Sequence, residues 1–120
     1  MLSPKEIKQN RKIFSETDKS MVMAFKVLSD LNRYRIFRIL AQQPKLSISS
    51  IAKILDISLP LASQHLKILH SADLLQKERS GKKVYPKLEY GNPFVQAVTK
   101  TIHEAYQLVS KKKNIYDKKY

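Results

Sequence analysis

The spacing of apolar residues predicts four amphipathic helices in succession. In each of them apolar side chains recur three and four residues apart, which places these side chains on one face. The first helix begins at Thr17, and Asp30 caps the second. Two shorter helices follow, one capped by Ser47 or Ser49 and the other by Ser58. Two short helices joined this tightly are typical of a helix-turn-helix, and any small helical bundle is the alternative.

The pattern then changes from the helical period to two short runs and a last helix. The runs cover residues 75–79 and 82–88 and flank Gly81, which predicts a β-hairpin. Pro86 cannot donate to a ladder and therefore marks an edge strand. The last helix is predicted over residues 94–110. The order α-α-α-α-β-β-α predicts a fold that is mainly α with a small β-hairpin, a winged helix-turn-helix.

The chain divides into one domain and two flanking segments. Residues 1–16 are polar and are predicted to form an N-terminal arm or a loosely held helix, and residues 111–120 form a basic tail. Residues 17–110 form the domain itself. The apolar face of the last helix is wide for so small a domain, so it packs either on its own core or on a second copy. The candidate dimer interface consists of Met21, Phe25, Phe94, Val98, Ile102, Ala105, Leu108 and Val109.

The net charge of +13 comes from 23 lysines and arginines against 10 aspartates and glutamates. It is not confined to a tail, since residues 31–74 carry +4 and residues 75–90 carry +3. A small chain this basic most often binds a polyanion. Charge alone does not distinguish DNA from RNA, the ribosome or an anionic lipid surface, and a plain solvated surface is also compatible with it.

Several residue types that carry chemistry are scarce or absent. The chain has no cysteine, which excludes disulfides, thiolate metal sites and thiol nucleophiles. Its two glycines are too few for a phosphate-binding loop, and no catalytic motif brackets its serines and histidines, so we expect no enzyme. No apolar run reaches the roughly 18 residues of a membrane span, and residues 1–10 lack the apolar stretch of a secretory signal. A cytoplasmic protein is expected.

The outer face of the fourth helix and the tip of the hairpin carry candidate DNA contacts. Gln64 can pair with adenine, Lys67 can reach guanine or phosphate, and Leu59 can touch a thymine methyl group. Cations at the hairpin tip suit the DNA backbone or the minor groove, and serines at a helix start can hold a phosphate. The alternatives are a solvated face, a charged turn and simple helix caps. His65 lies at the edge of the buried stripe, where a half-buried, hydrogen-bonded histidine is the first interpretation and a phosphate or base contact the second. The candidate set is Ser47, Ser49, Ser58, Leu59, Pro60, Ser63, Gln64, His65, Lys67, Arg79, Lys82 and Lys83.

Three segments resemble the ArsR-type family of bacterial winged-helix repressors. They are VLSDLNRYRIFRIL (27–40), SLPLASQHLKILHSADLL (58–75) and ERSGKKVYPKL (78–88), in the order that the family shows. The second segment is similar to the family's recognition-helix signature. The resemblance implies a homodimer built mainly from the first and last helices, with recognition helices in successive major grooves. It also implies double-stranded DNA with a pseudo-palindromic operator as the partner, and repression of transcription as the function.

The chain departs from that family at both of its familiar metal sites. Ser47 and Ser49 stand where many members have Cys-x-Cys, and serine is a poor ligand for soft metals. The family's second metal site lies on the last helix, where this chain has only His103 and Glu104. Side chains one residue apart do not face each other on a helix, so these two do not form the site. We therefore expect no metal and no cofactor, and the sequence does not name an inducer. The expected function is a sequence-specific DNA-binding transcriptional regulator, a homodimeric repressor; a non-specific chromatin-type or RNA-binding protein is the alternative.

Overall fold

The computed structural model describes residues 1–117, with side chains described up to residue 112, and this part of the chain forms six helices and one β-hairpin. Strands β1 (Leu75–Ser80) and β2 (Lys83–Leu88) lie between the fifth and sixth helices and pair antiparallel. The predicted winged helix-turn-helix is confirmed, with the hairpin as the wing. The helices are α1 (Pro4–Arg11), α2 (Thr17–Leu28), α3 (Leu31–Gln42), α4 (Ile48–Leu55), α5 (Leu59–Ser71) and α6 (Pro93–Asp117).

Side-chain caps fix where the central helices begin. The Asp30 carboxylate accepts a hydrogen bond from the backbone N–H of Arg33 at 3.0 Å, which caps α3 as predicted. The hydroxyls of Ser47 and Ser58 accept equivalent bonds, at 3.1 and 3.2 Å, at the starts of α4 and α5. Ser47 is therefore the cap of α4, and Ser49 lies in its first turn.

The connections between these elements are short because single residues adopt the left-handed backbone conformation. Asp56 (φ 54°) lies between α4 and α5, and Asp73 (φ 61°) lies between α5 and β1. Gly81 (φ 64°) lies in the turn of the hairpin, where Ser80 pairs with Lys83. Glycine adopts this conformation without steric cost, whereas aspartate adopts it at some cost.

The core lies between α2, α3, α4, α5, the base of the hairpin and the start of α6. The helices α3, α4 and α5 each turn one apolar face inward, as the spacing of apolar residues predicts. The opposite face of α5 is exposed. The largest fully buried side chains are Ile36, Phe37, Ile51, Leu69, Leu74, Leu88 and Val95.

Helix α6 continues beyond the position that the sequence predicts. The expected end at Ser110 is wrong, because α6 runs to Asp117, and residues 118–120 of the predicted tail lie outside the described residues. No proline or glycine follows Pro93 in the chain, and lysine is a good helix former, so a basic run does not end a helix.

On α6 the Tyr106 hydroxyl hydrogen-bonds to that of Tyr34 on α3 at 3.0 Å, and the Arg38 guanidinium lies 3.8 Å from the centre of the Tyr106 ring.

The protomer is elongated for its length. Its radius of gyration is 18.9 Å, whereas a compact domain of this length has about 14 Å. Helix α1 buries none of its residues, and the later turns of α6 are exposed up to residue 112. No helix within residues 1–117 has the length and apolar composition that a membrane span requires.

Candidate nucleic-acid interface

Helix α5 separates an apolar inner face from a polar outer face. Ala62 and Leu69 are fully buried and Leu66 is 7% exposed, so this face holds α5 against the core. Six of the predicted DNA contacts lie on or beside the opposite face, and all of them are exposed. They are Ser58, Leu59, Pro60, Ser63, Gln64 and Lys67.

His65 is the exception among the predicted contacts on α5. Its residue is 8% exposed, and its Nδ1 lies 3.3 Å from Nη1 of Arg33. Because a guanidinium only donates, Nδ1 is the acceptor of this bond. The side chain is thus hydrogen-bonded and largely buried, which agrees with the first interpretation of His65 from the sequence. A phosphate or base contact by His65 stays a prediction, and the side chain does not lie on the exposed face that carries the other predicted contacts on α5.

Arg33 links the three helices α2, α3 and α5. Its Nε donates to the carbonyl oxygen of Val27, at the end of α2, at 2.7 Å, while Nη1 reaches His65 on α5. The backbone N–H of Arg33 donates to Asp30, and this hydrogen bond, opposed by desolvation, lowers the pKa of the Asp30 carboxyl. The capping residue Asp30, three residues before Arg33, predicts this backbone hydrogen bond, but no local pattern in the sequence indicates the contact between Arg33 and His65.

The hairpin carries its predicted cations around the turn. Arg79, Lys82 and Lys83 are all exposed, and Arg79 pairs with Val84 across the ladder. A turn with three cations within five residues concentrates positive potential at one point of the surface. Of these three cations, Arg79 lies beside the outer face of α5, since it lines one groove with Ser63 and Lys67.

The two serines at the start of α4 differ in their surroundings. The Ser47 hydroxyl accepts from the backbone of Ser50 and donates to the Ser50 hydroxyl at 2.9 Å. This pair of bonds makes Ser47 a helix cap. Ser49 is exposed at the helix start, so it is the serine that remains accessible to a phosphate.

The predicted dimer residues divide into a buried group and an exposed group. Phe94 is 8% exposed and packs edge to face on Phe25, with ring centres 5.2 Å apart, so it belongs to the protomer's own core. Val98 and Ile102 are half-buried. Phe25 itself is 59% exposed. The other predicted residues are exposed on α2 and α6, namely Met21, Ala105, Leu108 and Val109.

More apolar side chains are exposed near the N-terminus than the sequence led us to assign. Val22 and Met23 on α2 are 64% and 54% exposed, and Ile13 and Phe14 before α2 are 77% and 71% exposed. Four such side chains on a short segment are costly to leave in water. In the sequence, only the closeness of these four apolar residues to one another indicated an exposed apolar segment.

Within the described part of the chain, no three histidine, aspartate or glutamate side chains lie close enough together to hold a metal ion. His103 on α6 instead lies 3.0 Å, through its Nε2, from the side-chain amide of Gln107, one turn further along the helix.

Comparisons with known proteins identify relatives of this chain. The family described as "Bacterial regulatory protein, arsR family" matches residues 30–77. The chain is 33% identical over 86 residues to the arsenic resistance transcriptional regulator ArsR1 of Pseudomonas putida, which covers 71% of this chain and 67% of that protein. It is 38% identical over 61 residues to the cadmium resistance transcriptional regulatory protein CadC of Listeria innocua. That match covers 51% of each chain, so this chain spans about half the length of the cadmium resistance regulator.

A solved structure agrees with the architecture. The homodimeric winged helix-turn-helix DNA-binding domain from Mycobacterium bovis has a TM-score of 0.63 and 21% identity, covering 78% of this chain and 88% of that one. This likeness shows the fold, and the match to the Pseudomonas putida regulator shows the family. The chain belongs to the ArsR family of bacterial regulatory proteins.

Proposed function

We propose that this protein is a homodimeric, sequence-specific DNA-binding repressor of transcription. The observation that carries the proposal is the exposed polar face of α5, where Ser63 and Lys67 line one groove with Arg79 of the wing. The relatives from Pseudomonas putida and Listeria innocua are named as transcriptional regulators of arsenic resistance and of cadmium resistance. A regulator, not an enzyme, is therefore the function that the family supports.

Helix α5 is the proposed recognition helix. The major groove of B-DNA admits one α-helix, and the first turns of that helix approach the base edges. Gln64 and Lys67 lie three residues apart and share the exposed face, so both can reach neighbouring base pairs. Gln64 would pair with adenine and Lys67 with guanine, while Leu59, 49% exposed at the helix start, would contact a thymine methyl group.

The wing supplies contacts that do not depend on sequence. Arg79, Lys82 and Lys83 are long, exposed cations around one turn, which suits phosphates or the minor groove. Ser49 at the start of α4 adds a hydroxyl beside free backbone N–H groups. These groups would fix the register of α5 on the duplex, while the side chains of α5 select the bases.

Two copies would associate through the exposed apolar side chains of α2 and α6. Leu108 and Val109 are 62% and 61% exposed, and burying each of them contributes about 2 kcal/mol. The elongated protomer, with α6 extending from the core, suits an interface formed between extended helices. The structure from Mycobacterium bovis is a homodimer by its description. A two-fold axis would place the two α5 helices about one helical turn of DNA apart, on a pseudo-palindromic operator.

Repression would follow from occlusion of the promoter by the bound dimer, in the cytoplasm, where bacterial DNA lies. These 120 residues contain no cysteine, so they supply no thiolate for a soft metal. The relatives' names connect them with cadmium and arsenic resistance. For this chain we propose release from DNA by a different kind of ligand.

Selection of bound duplexes from a random pool tests the proposal, followed by footprinting on the enriched sequence. We expect one enriched motif with two-fold symmetry and protection of a discrete site. Binding without any enriched motif would contradict sequence-specific recognition and would favour a non-specific nucleic-acid-binding protein.

A further inference from the structure

The two faces of the wing differ in what they contact. In the register of the hairpin, Lys77 pairs with Pro86 and Arg79 with Val84. Alternate residues of a strand share a face, so these four side chains lie on the same face as the pair Leu75 and Leu88. That pair is buried at the base of the hairpin, which means that this face of the wing turns towards α5.

A groove of about 950 Å³ lies between this face and α5. Leu66, Leu75, Val84 and Pro86 contribute an apolar lining, and cations stand along it. Among the residues that the structure describes, no acidic side chain lines the groove. The cations of the groove are Lys67 from α5 and Lys77 and Arg79 from β1.

We infer that this groove binds a small amphipathic carboxylate, an organic anion with an aliphatic or aromatic body. The volume is within the range of small-molecule sites, about 300 to 1,000 Å³. The apolar body would lie against Leu66 and Val84. The carboxylate would lie at Lys77 and Arg79, where a guanidinium offers two parallel N–H donors.

The charge of the groove argues for an anion over a neutral ligand. Lys67, Lys77 and Arg79 all line the groove and no acidic residue of its described lining opposes them, so an anion carries the complementary charge. A purely apolar ligand would leave these cations partly desolvated and unpaired, which is costly. A highly charged, fully polar anion would gain nothing from the apolar lining.

A carboxylate in this groove would compete with DNA for the proposed repressor. This competition rests on the proposed function. Lys67 and Arg79 line the groove and also belong to the proposed DNA contacts. A carboxylate held by Lys77 and Arg79 would neutralise Arg79, and the body of the ligand would occupy the groove beside Lys67. DNA and the carboxylate would therefore exclude one another.

Binding is measured first without DNA, by calorimetric titration of the full chain with naphthalene-2-carboxylate and with decanoate. The uncharged control is naphthalene-2-carboxamide, which has the same aromatic body. We expect saturable binding of one carboxylate per protomer and affinity for the carboxamide lower by about tenfold. Equal affinity for carboxylate and carboxamide, or no binding of either carboxylate, would overturn the inference.

A pair of variants in one hairpin locates the site. Lys77 faces the groove, whereas Lys87 pairs with Gln76 and lies on the opposite face of the same ladder. Lys77→Gln should weaken carboxylate binding about fivefold, whereas the matched Lys87→Gln should change it by less than about twofold. Equal effects of the two variants would mean that the carboxylate binds elsewhere, and would overturn the assignment to this groove.

Competition is then measured on the duplex enriched by selection. Saturating carboxylate should weaken DNA binding by wild type, and unchanged DNA affinity would refute the competition. If the chain fails to bind DNA at all, the titrations without DNA still decide whether the groove binds the carboxylate. The two failures are therefore distinguishable.

Discussion

The Arg33 guanidinium on α3 lies 3.3 Å from Nδ1 of His65 on α5, and the same side chain donates to the last turn of α2. One residue thus connects the helix that carries exposed apolar side chains with the helix that carries the proposed base contacts. His65 is 8% exposed, so its hydrogen bond to Arg33 is shielded from water. A polar pair in this position fixes the orientation of α5 relative to α2.

Replacing Arg33 by alanine should destabilise the fold. The variant loses the hydrogen bond to Val27 and leaves the buried His65 nitrogen without its donor, which together cost about 2 kcal/mol. Urea unfolding followed by circular dichroism measures the change. Arg35→Ala is the matched control, because Arg35 lies two residues further along α3 and is exposed. Equal denaturation midpoints for the two variants would show that the Arg33 contacts contribute nothing.

Stability should fall in acid partly because of Asp30. The hydrogen bond from the Arg33 backbone N–H lowers the pKa of this carboxyl in the folded state, so the unfolded state binds the proton more readily. The stabilisation from the ionised Asp30 carboxyl is complete above the ordinary aspartate pKa of about 4. It is lost as the pH falls through the lowered pKa that this carboxyl has in the folded state. Unfolding free energy measured between about pH 7 and pH 3 shows this loss.

Asp30→Asn isolates that contribution. Asparagine caps a helix about as well as aspartate but does not titrate. The variant should therefore lose less stability than wild type over the acid part of the same range. Parallel pH profiles for the two proteins would contradict a role for the Asp30 charge.

The dimer should dissociate when a charge is placed on the apolar face of α6. Leu108→Glu enters the interface twice, once from each copy, so it should weaken association by about a hundredfold or more. Gln107→Glu introduces the same charge one residue away, on a different face of the helix, and should leave the dimer intact. Sedimentation velocity over a range of concentrations measures both. A wild-type protein that sediments as a monomer, or a Gln107→Glu effect as large as that of Leu108→Glu, would refute the proposed interface.

Binding to DNA should depend steeply on salt. Arg79, Lys82 and Lys83 offer six phosphate contacts per dimer, which predicts a slope of about −5 in a plot of log K against log salt. Removing two of them from each protomer, in Lys82→Gln/Lys83→Gln, should reduce the slope to about −2. Lys5→Gln/Lys8→Gln on α1 removes equal charge outside the proposed interface and should leave the slope near the wild-type value. A flat salt response of the wild type would contradict phosphate binding by the wing.

Helix starts and the hairpin could be predicted because their causes are local. Asp30 and Ser58 cap the helices that follow them, and Gly81 lies in the predicted turn. The end of α6 could not be predicted from its basic residues, because lysine is a good helix former and a run of lysines does not mark the end of a helix. The left-handed backbone conformation of Asp56 and Asp73 could not be predicted either, because glycine is the usual sequence indication of that conformation.

The candidate site was predictable where it depends on helical period, and not where it depends on tertiary contact. The period alone placed Gln64 and Lys67 on the face opposite the buried leucines. The contact between Arg33 and His65 joins residues 32 positions apart, which no local pattern shows. The position of Lys77 on the inner face of the wing follows from the strand register, which the sequence does not fix as closely as it fixes the helical faces.

The proposed function is tested most directly by the ratio of affinities for the selected duplex and for a scrambled duplex of equal length. Gln64→Ala/Lys67→Ala removes the two proposed base contacts and keeps the cations of the wing. Fluorescence anisotropy at one fixed salt concentration gives the ratio for wild type and for the double variant. We expect the wild type to prefer the selected duplex clearly. The double variant should lose this preference while it retains most of its affinity for the scrambled duplex. Equal loss of affinity for both duplexes would contradict the reading of DNA sequence by α5.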